Sequence, residues 1–390
     1  MDPAKPSLEL LRSLTDEHVL RALMQHRRLT RAELATETGI SKPTVGESVR
    51  RLAETGSVVD TGERTPGGRG RGRVGSYYAL ADDIGVALAV NIAPEGVVAE
   101  CVDAYGETVS RAERTLGRPA RPADVTAALR AVAGDARHGA ELTPRLAVVS
   151  AADPVDRRTG RLVQLPDAPF LVGELDPIEV LAPHVDGPIT VDNDVNWAAR
   201  AEREHGGAAT VNDFAYLFLG EGLGCAIVSD GEVRGGFGGL AGEVSHLVTT
   251  GPRGQAMRFI EVFGELGLRQ TGSTAIDVDR LRTAATGPDA RETAARHALG
   301  QAISGVVAAL VALADPQLII IGGSWGSQPA LLDAIVTAAA HLPRHAPIRA
   351  AEVLTEPSLA GARHDALGRL RSTIVATVHS APSRPSPALP

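Results

Sequence analysis

Thr30-Arg31-Ala32-Glu33-Leu34-Ala35, Thr38-Gly39 and Ser41-Lys42-Pro43-Thr44-Val45-Gly46-Glu47-Ser48-Val49-Arg50-Arg51-Leu52 together decide the fold of the amino-terminal part of the chain. Thr30 followed three residues later by Glu33 is a capping box, so a short helix bearing Leu34 and Ala35 opens there. It stops at Thr38-Gly39, where glycine supplies the turn. Ser41 caps the next helix, whose Val45, Val49 and Leu52 fall at i, i+4 and i+7 and define a buried face. Lys42, Thr44, Glu47, Ser48, Arg50 and Arg51 are left facing outward. Upstream, Thr15 reads as the N-cap of a helix carrying Val19, Leu20, Leu23 and Met24 on one stripe. Arg27 and Arg28 end it. Two helices joined by a tight glycine turn form a helix-turn-helix. The start of its second helix can enter the major groove, about 12 Å wide, where Ser41, Lys42 and Thr44 onward reach base edges and phosphates.

Downstream, Gly56-Ser57-Val58-Val59-Asp60 and Ser76-Tyr77-Tyr78-Ala79-Leu80 flank the loop Pro66 to Arg73. The pattern is a hairpin with a basic tip. Arg69, Arg71 and Arg73, spaced by glycine, suit a phosphate backbone or a narrow minor groove, so the segment reads as a winged helix-turn-helix. A three-helix pattern alone also suits a structural or protein-docking module, and a Gly/Arg loop alone suits a solvated linker. Charge favours DNA: residues 1–80 carry 13 basic and 10 acidic side chains, a net of +3, while the remainder carries a net of −11. A basic module on an acidic body selects double-stranded DNA as the expected partner.

The chain has 390 residues, room for two or three domains at about 100–200 residues each. Aromatics make up only 3%, so the core must come from Ala, Val, Leu and Ile. Cys101 and Cys225 are the only cysteines, which limits the chain to one disulfide. No basic segment followed by an apolar run opens the chain, so a reducing cytoplasm is the expected setting. Val306 to Ile321, broken by Asp315-Pro316, reads as a buried helix followed by a buried strand and not as a membrane span.

From Ala79 onward, short β-rich runs alternate with helical patterns: Val86–Val90, Val97–Ala99, Leu146–Val149, Ile189–Val191, Ala215–Leu219 and Leu318–Ile321. Such alternation implies an α/β body with buried sheets. Glycines follow several of these runs, at Gly220-Glu221-Gly222-Leu223-Gly224, from Gly235 to Gly242, and at Gly322-Gly323. Val191-Asp192-Asn193-Asp194-Val195-Asn196 sits at a strand end, and Gly242-Glu243-Val244-Ser245-His246 follows a glycine-rich hairpin. Amides, carboxylates and an imidazole suit a polyol, because each hydroxyl needs both a donor and an acceptor.

From Leu10 to about Leu370 the chain resembles the ROK family of repressors and sugar kinases, in its transcription-factor branch. The resemblance rests on the helix-turn-helix residues above, on Asp153-Pro154-Val155-Asp156 with Thr159-Gly160 against the family's P-G-P-V-D-x-x-T-G, on Asp192 to Asn196, on Gly239 to His246, and on Asp315-Pro316 to Gly322-Gly323. It implies a winged helix-turn-helix over 1–80 followed by a two-lobed, actin-like ATPase fold. The lobes are expected at 81–198, completed by 358–379, and at 199–357, with a disordered tail at 380–390. By resemblance, Asn193 and Asp194 match the family's sugar-binding pair, Glu243 and His246 its sugar-contacting Glu and His, and Glu261 a further sugar-contacting glutamate. A homodimer or tetramer is the expected assembly.

The departures select the branch. Asn91-Ile92-Ala93-Pro94-Glu95-Gly96 stands where the kinases read D-x-G-G-T-K. Pro94 removes a backbone donor, and Glu95 brings negative charge where phosphates would sit. Gly220-Glu221-Gly222-Leu223-Gly224 replaces G-T-G-I-G and adds a second acid. The stretch after His246, Leu247 to Met257, contains no cysteine, so the family's thiolate zinc site is not expected. The expected function is a sugar-responsive repressor without catalytic residues or cofactor. The alternatives are an active sugar kinase with an accessory DNA-binding domain, and a regulator that takes its signal from a protein partner.

Overall fold

The computed structural model describes residues 8–65, 75–118, 120–165, 170 and 175–380. The basic loop containing Arg69, Arg71 and Arg73, and the carboxy-terminal segment from residue 381 onward, lie outside the described residues.

The first helix, α1 (Leu8–His26), starts well before Thr15. The expected N-cap lies inside the helix, where its hydroxyl donates to the Leu11 carbonyl at 2.8 Å. This back-bond satisfies the hydroxyl without ending the helix. A strand that local patterning does not reveal, β1 (Arg28–Thr30), follows. Helix α2 (Arg31–Thr38) carries the complete Thr30/Glu33 capping box and ends at Gly39 with φ +69°. Helix α3 (Lys42–Glu54) is capped by Ser41 and buries Val45, Val49 and Leu52. Strands β2 (Val58–Arg64) and β3 (Ser76–Leu80) form the wing, and β1 completes a sheet of order β1-β3-β2.

Ser48 and Arg51 correct the outward face expected of α3. Ser48 is fully buried and donates to Asp16 of α1, and Arg51 pairs with the same carboxylate at 2.6 Å. Asp16 is itself 7% exposed, so this one carboxylate closes the α1–α3 contact.

The body has two lobes with the same strand plan. In the first, β4 (Val86–Ala93), β5 (Gly96–Asp103) and β6 (Thr108–Thr115) form an antiparallel meander. Helix α4 (Pro122–Ala140) packs on it, and β7 (Ala147–Ala151) and β8 (Ile189–Asn193) extend it in parallel. The order is β6-β5-β4-β7-β8. Short α5 (Pro177–Leu181) precedes β8, and α6 (Asp194–His205) leaves its carboxyl end. In the second lobe, β9 (Phe214–Leu219), β10 (Leu223–Ser229) and β11 (Glu232–Val233) are antiparallel. A hairpin, β12 (Val248–Thr250) and β13 (Ala256–Arg258), leads through α7 (Phe259–Glu265) and α8 (Val278–Thr286) to α9 (Ala290–Ala314). Strand β14 (Leu318–Gly322), α10 (Pro329–Ala339) and β15 (Ile348–Ala350) complete a sheet of order β11-β10-β9-β14-β15. Helix α9 is long and apolar enough to cross a membrane, but half of its most apolar window is buried within the protein.

The last helix, α11 (Pro357–Ser380), returns to the first lobe and packs on α6, β4 and β7. Gly361 permits the approach: a Cβ there would lie 2.0 Å from the Trp197 carbonyl oxygen. Trp197 is held in turn by its indole N–H, which donates to the Val149 carbonyl at 3.0 Å. Farther along, α11 meets α1, and Arg371 donates to the Ala104 carbonyl. One apolar cluster therefore runs from Leu23, Val49 and Leu80 of the winged domain to Val148, Trp197 and Leu370 of the body. Tyr105 seals its edge: its ring lies 5.3 Å from the Arg27 guanidinium, and its hydroxyl accepts from the Leu80 amide. The two cysteines are free and buried in different lobes, Cys101 on β5 and Cys225 on β10. Burial raises both thiol pKa values, that of Cys225 to about 12.

Two substitutions test these contacts. Asp16→Ala leaves the Ser48 hydroxyl and the Arg51 guanidinium without their shared acceptor and should cost about 2–3 kcal/mol. Gly361→Ala forces α11 off α6 and should cost about 1–3 kcal/mol. Thermal unfolding followed by circular dichroism reads both as a lowered Tm, and an unchanged Tm would exclude the contact concerned.

Candidate DNA-reading face and ligand cleft

On α3, Ser41, Lys42, Thr44, Glu47 and Arg50 are exposed. Ser41 and Thr44 share a hydroxyl hydrogen bond of 2.7 Å, while Arg50 lies between Glu47 and Glu54 and pairs with both. Those contacts hold the Glu47 carboxyl below its ordinary pKa. Arg28 and Arg31 cover the faces of Tyr77 and Tyr78, at 5.4 and 5.0 Å. The exposed face is thus the first two turns of α3, where Lys42 is, among the described residues of that helix, the cation without an acidic partner.

Between the lobes lies a cavity of about 1230 Å3. Asn193, Asp194, Glu243 and His246 all line it. Asn193 ends β8 and caps α6: its amide oxygen accepts from the Val195 amide at 3.0 Å, and its nitrogen donates to the Ala151 and Asp153 carbonyls. Asp194 occupies the first helical position, where the helix dipole favours a carboxylate. Burial nevertheless dominates. Together with the charges of Asp153, Glu243 and Glu95, it pushes the Asp194 pKa up to about 7, against the hydrogen bond from the Val195 amide. Burial alone raises Glu243 to about 7. Glu243 and His246 flank a single 3-10 turn, Val244–His246, pinned by the Cys225 amide donating to the Gly242 carbonyl at 2.9 Å. Gly242 has φ +99°, and a Cβ there would lie 1.8 Å from the Cys225 carbonyl oxygen, so only glycine fits.

Glu261 does not join this group, which corrects the expected set. It lies at the third position of α7 and turns back on Arg258, accepting from its amide and its guanidinium. That pairing lowers its pKa, and it is not part of the cavity wall. The hairpin β12–β13 explains the displacement: the stretch after His246 folds onto α9 and α7 through Thr249 to the Ala302 carbonyl and Gln255 to Glu265. Its Thr, Gln, Arg and Met side chains do not fit a thiolate zinc site. Conversely, Asn91, Asn196 and Ser245 line the cavity although their motifs assign them no role. The Asn91 amide oxygen is buried there without a hydrogen-bond partner.

The two loops that carry Glu95 and Glu221 also face the cavity. Pro94-Glu95 is a two-residue turn between Ala93 and Gly96, which pair as the last rung of β4–β5. Gly220 to Gly222 is the equivalent turn between β9 and β10. Glu221 at its tip reaches across to Arg118 of the first lobe and pairs with it.

Residues 88–367 match the ROK family. The chain belongs to the ROK family. Residues 12–58, ahead of the ROK body, match a winged helix-turn-helix DNA-binding family. The ROK chain is 32% identical over 149 residues to a bifunctional NanE/NanK enzyme of Brucella suis, covering 37% of this chain and 28% of that one. It is 23% identical over 242 residues to a putative xylose repressor of Caldicellulosiruptor sp., covering 61% of this chain and 59% of the relative. The chain thus spans less than two thirds of either relative. A solved ROK family transcriptional regulator, a homolog of the E. coli MLC protein, superposes with a TM-score of 0.63 at 19% identity, over 94% of this chain and 99% of that one.

The raised carboxyl values in the ROK cleft give a pH test. A carboxyl whose folded pKa exceeds its unfolded value favours folding while protonated, so its contribution is lost as pH rises from about 4 to about 7 and stays lost above. Asp194→Asn and Glu243→Gln should each raise Tm by a few degrees at pH 8 and leave it unchanged at pH 4. Calorimetry at both values checks this, and equal shifts at both would contradict the assigned burial.

Proposed function

We propose that this ROK chain is a DNA-binding transcriptional repressor whose kinase-like body senses a sugar or sugar derivative without phosphorylating it. In this reading, residues 1–80 hold the operator, and 81–198 with 358–379 and 199–357 act as the two lobes of the sensor. The carrying observation is the combination in one cleft of a polyol-binding set, Asn193, Asp194, Glu243 and His246, with acids at both phosphate loops. Phosphoryl transfer depends on positioning and on neutralising phosphate charge. Pro94 has no amide hydrogen to donate, and Glu95 and Glu221 place carboxylates where an anion would bind. These residues do not fit a nucleotide triphosphate. Asp194 then accepts a hydrogen bond from a sugar hydroxyl instead of removing its proton.

At the other end, Ser41, Lys42, Thr44 and Glu47 offer base edges both donors and acceptors, with Arg50 beside the backbone. A homodimer would place two such helices in half-sites about 34–36 Å apart. A sugar that binds one lobe arrangement better than the other shifts that spacing and so changes operator affinity. The resemblance to xylose repressors supports this reading, and the cleft set supports a monosaccharide as effector.

Fluorescence anisotropy with the upstream DNA at fixed salt, titrated with a panel of monosaccharides, tests the proposal. At least one sugar should change DNA affinity, by about 5- to 150-fold for a coupled pair of sites. Asp194→Ala should abolish that response while leaving DNA binding in the absence of sugar intact, and Lys42→Ala should weaken DNA binding at every sugar concentration. ATP-dependent phosphorylation of any hexose would sink the proposal, as would a DNA affinity indifferent to every sugar.

A further inference from the structure

We propose that the cleft selects a sugar bearing a free amino group over the parent neutral sugar, and rejects phosphorylated and acidic sugars. The inference rests on the sugar-sensing reading of the same cleft and names the chemical class of its ligand.

Charge balance comes first. Among the described residues, nine carboxylates and three guanidiniums line the cavity. Each guanidinium is already engaged: Arg114 with Asp135, Arg118 with Glu221, and Arg282 with the Ser324 carbonyl at 3.0 Å. Of the carboxylates, Glu113 and Glu356 pair with Arg111, Asp277 with Arg280 and Glu221 with Arg118, so the excess negative charge sits with Glu95, Asp153, Asp194, Glu243 and Asp279. An entering phosphate or carboxylate would find two of the three arginines neutralised by carboxylates and the third hydrogen-bonded to a carbonyl, and would add to a field that is already negative.

Position comes second. The polyol-binding set accounts for Asp194 and Glu243. Glu95 and Asp153 go beyond it. Asp153 stands at the glycine of P-G-P-V-D and Glu95 at the threonine of D-x-G-G-T-K, so both acids are additions of this chain. Asp153 is only 2% exposed. Both charges act on Asp194 and oppose its ionisation. A hydroxyl brings only a partial charge to such a group, whereas an ammonium offers a full charge and three donors. Asn91 lines the same cavity, and its amide oxygen is buried without a hydrogen-bond partner, which leaves one acceptor to be met by a donor.

Isothermal titration of the full chain at pH 7 and fixed ionic strength tests this, using glucose, galactose and mannose, their 2-amino derivatives and their 6-phosphates. At least one hexosamine should bind about tenfold or more tightly than its parent, the scale of one charge-assisted hydrogen bond. The 6-phosphates should bind more weakly than the parents. Glu95 is exposed on a turn, so Glu95→Gln should fold normally and narrow the amine preference. Asp153→Asn, checked by circular dichroism, should narrow it further. Hexoses binding as well as hexosamines would overturn the inference and leave sugar sensing standing. Absence of binding by every sugar tested would overturn both. An amine preference that survives both substitutions would overturn the role given to Glu95 and Asp153.

Discussion

One apolar cluster joins the two ends of this molecule. It begins in the winged domain with Leu23, Val49 and Leu80, continues through Val102 and Val148 of the first lobe, and ends under α11 at Leu370 and Ile374. Such a core is close-packed and transmits displacement instead of absorbing it. The winged domain is therefore packed directly on the body: its third strand, β3, runs within seven residues of β4, and Arg27 locks the seam by its contacts with Tyr105 and Glu107. A change in lobe arrangement that moved α11 would have to move α1 or break this packing.

Helix α11 supplies the reach. Its 24 residues span about 36 Å at 1.5 Å per residue. Glu356, Pro357 and Ser358 at its start line the cleft, while its later turns lie against α1. The glycine at 361 lets it lie directly on the α6 backbone, and α6 is the helix whose first turn carries Asn193 and Asp194. Cleft-lining residues and the helix that meets the winged domain thus share one contact.

Much of this was legible in the sequence, and the misses have physical causes. The Thr30/Glu33 box, the Gly39 turn and the Val45, Val49, Leu52 face are local signals, and the structure contains all three. The six β-rich runs lie in strands because buried sheets demand continuous Val, Ile and Leu. Strand β6 escaped because its pattern is mostly exposed, and β1 because three residues carry no period. Ser48 and Arg51 were misread as surface because helical spacing cannot show that Asp16, 32 residues earlier in the chain, waits beneath Ser48. Glu261 was misplaced for the opposite reason. Its motif fits, but Arg258 three residues earlier captures it in a local pair, and the altered hairpin after His246 leaves nothing to redirect it. In the cleft, residue types raise the expectation of a polyol, whereas the excess of negative charge shows only where Glu95, Asp153 and Asp194 share a wall.

The two cysteines, buried in opposite lobes, have a practical consequence. Only the thiolate reacts readily with electrophiles, and Cys101 and Cys225 are 0% and 3% exposed with raised pKa values. The native chain is therefore close to silent toward maleimides at neutral pH. A single cysteine introduced on each lobe would carry a fluorophore pair without removing either native thiol, and the distance across the cleft could be followed in the otherwise unaltered protein.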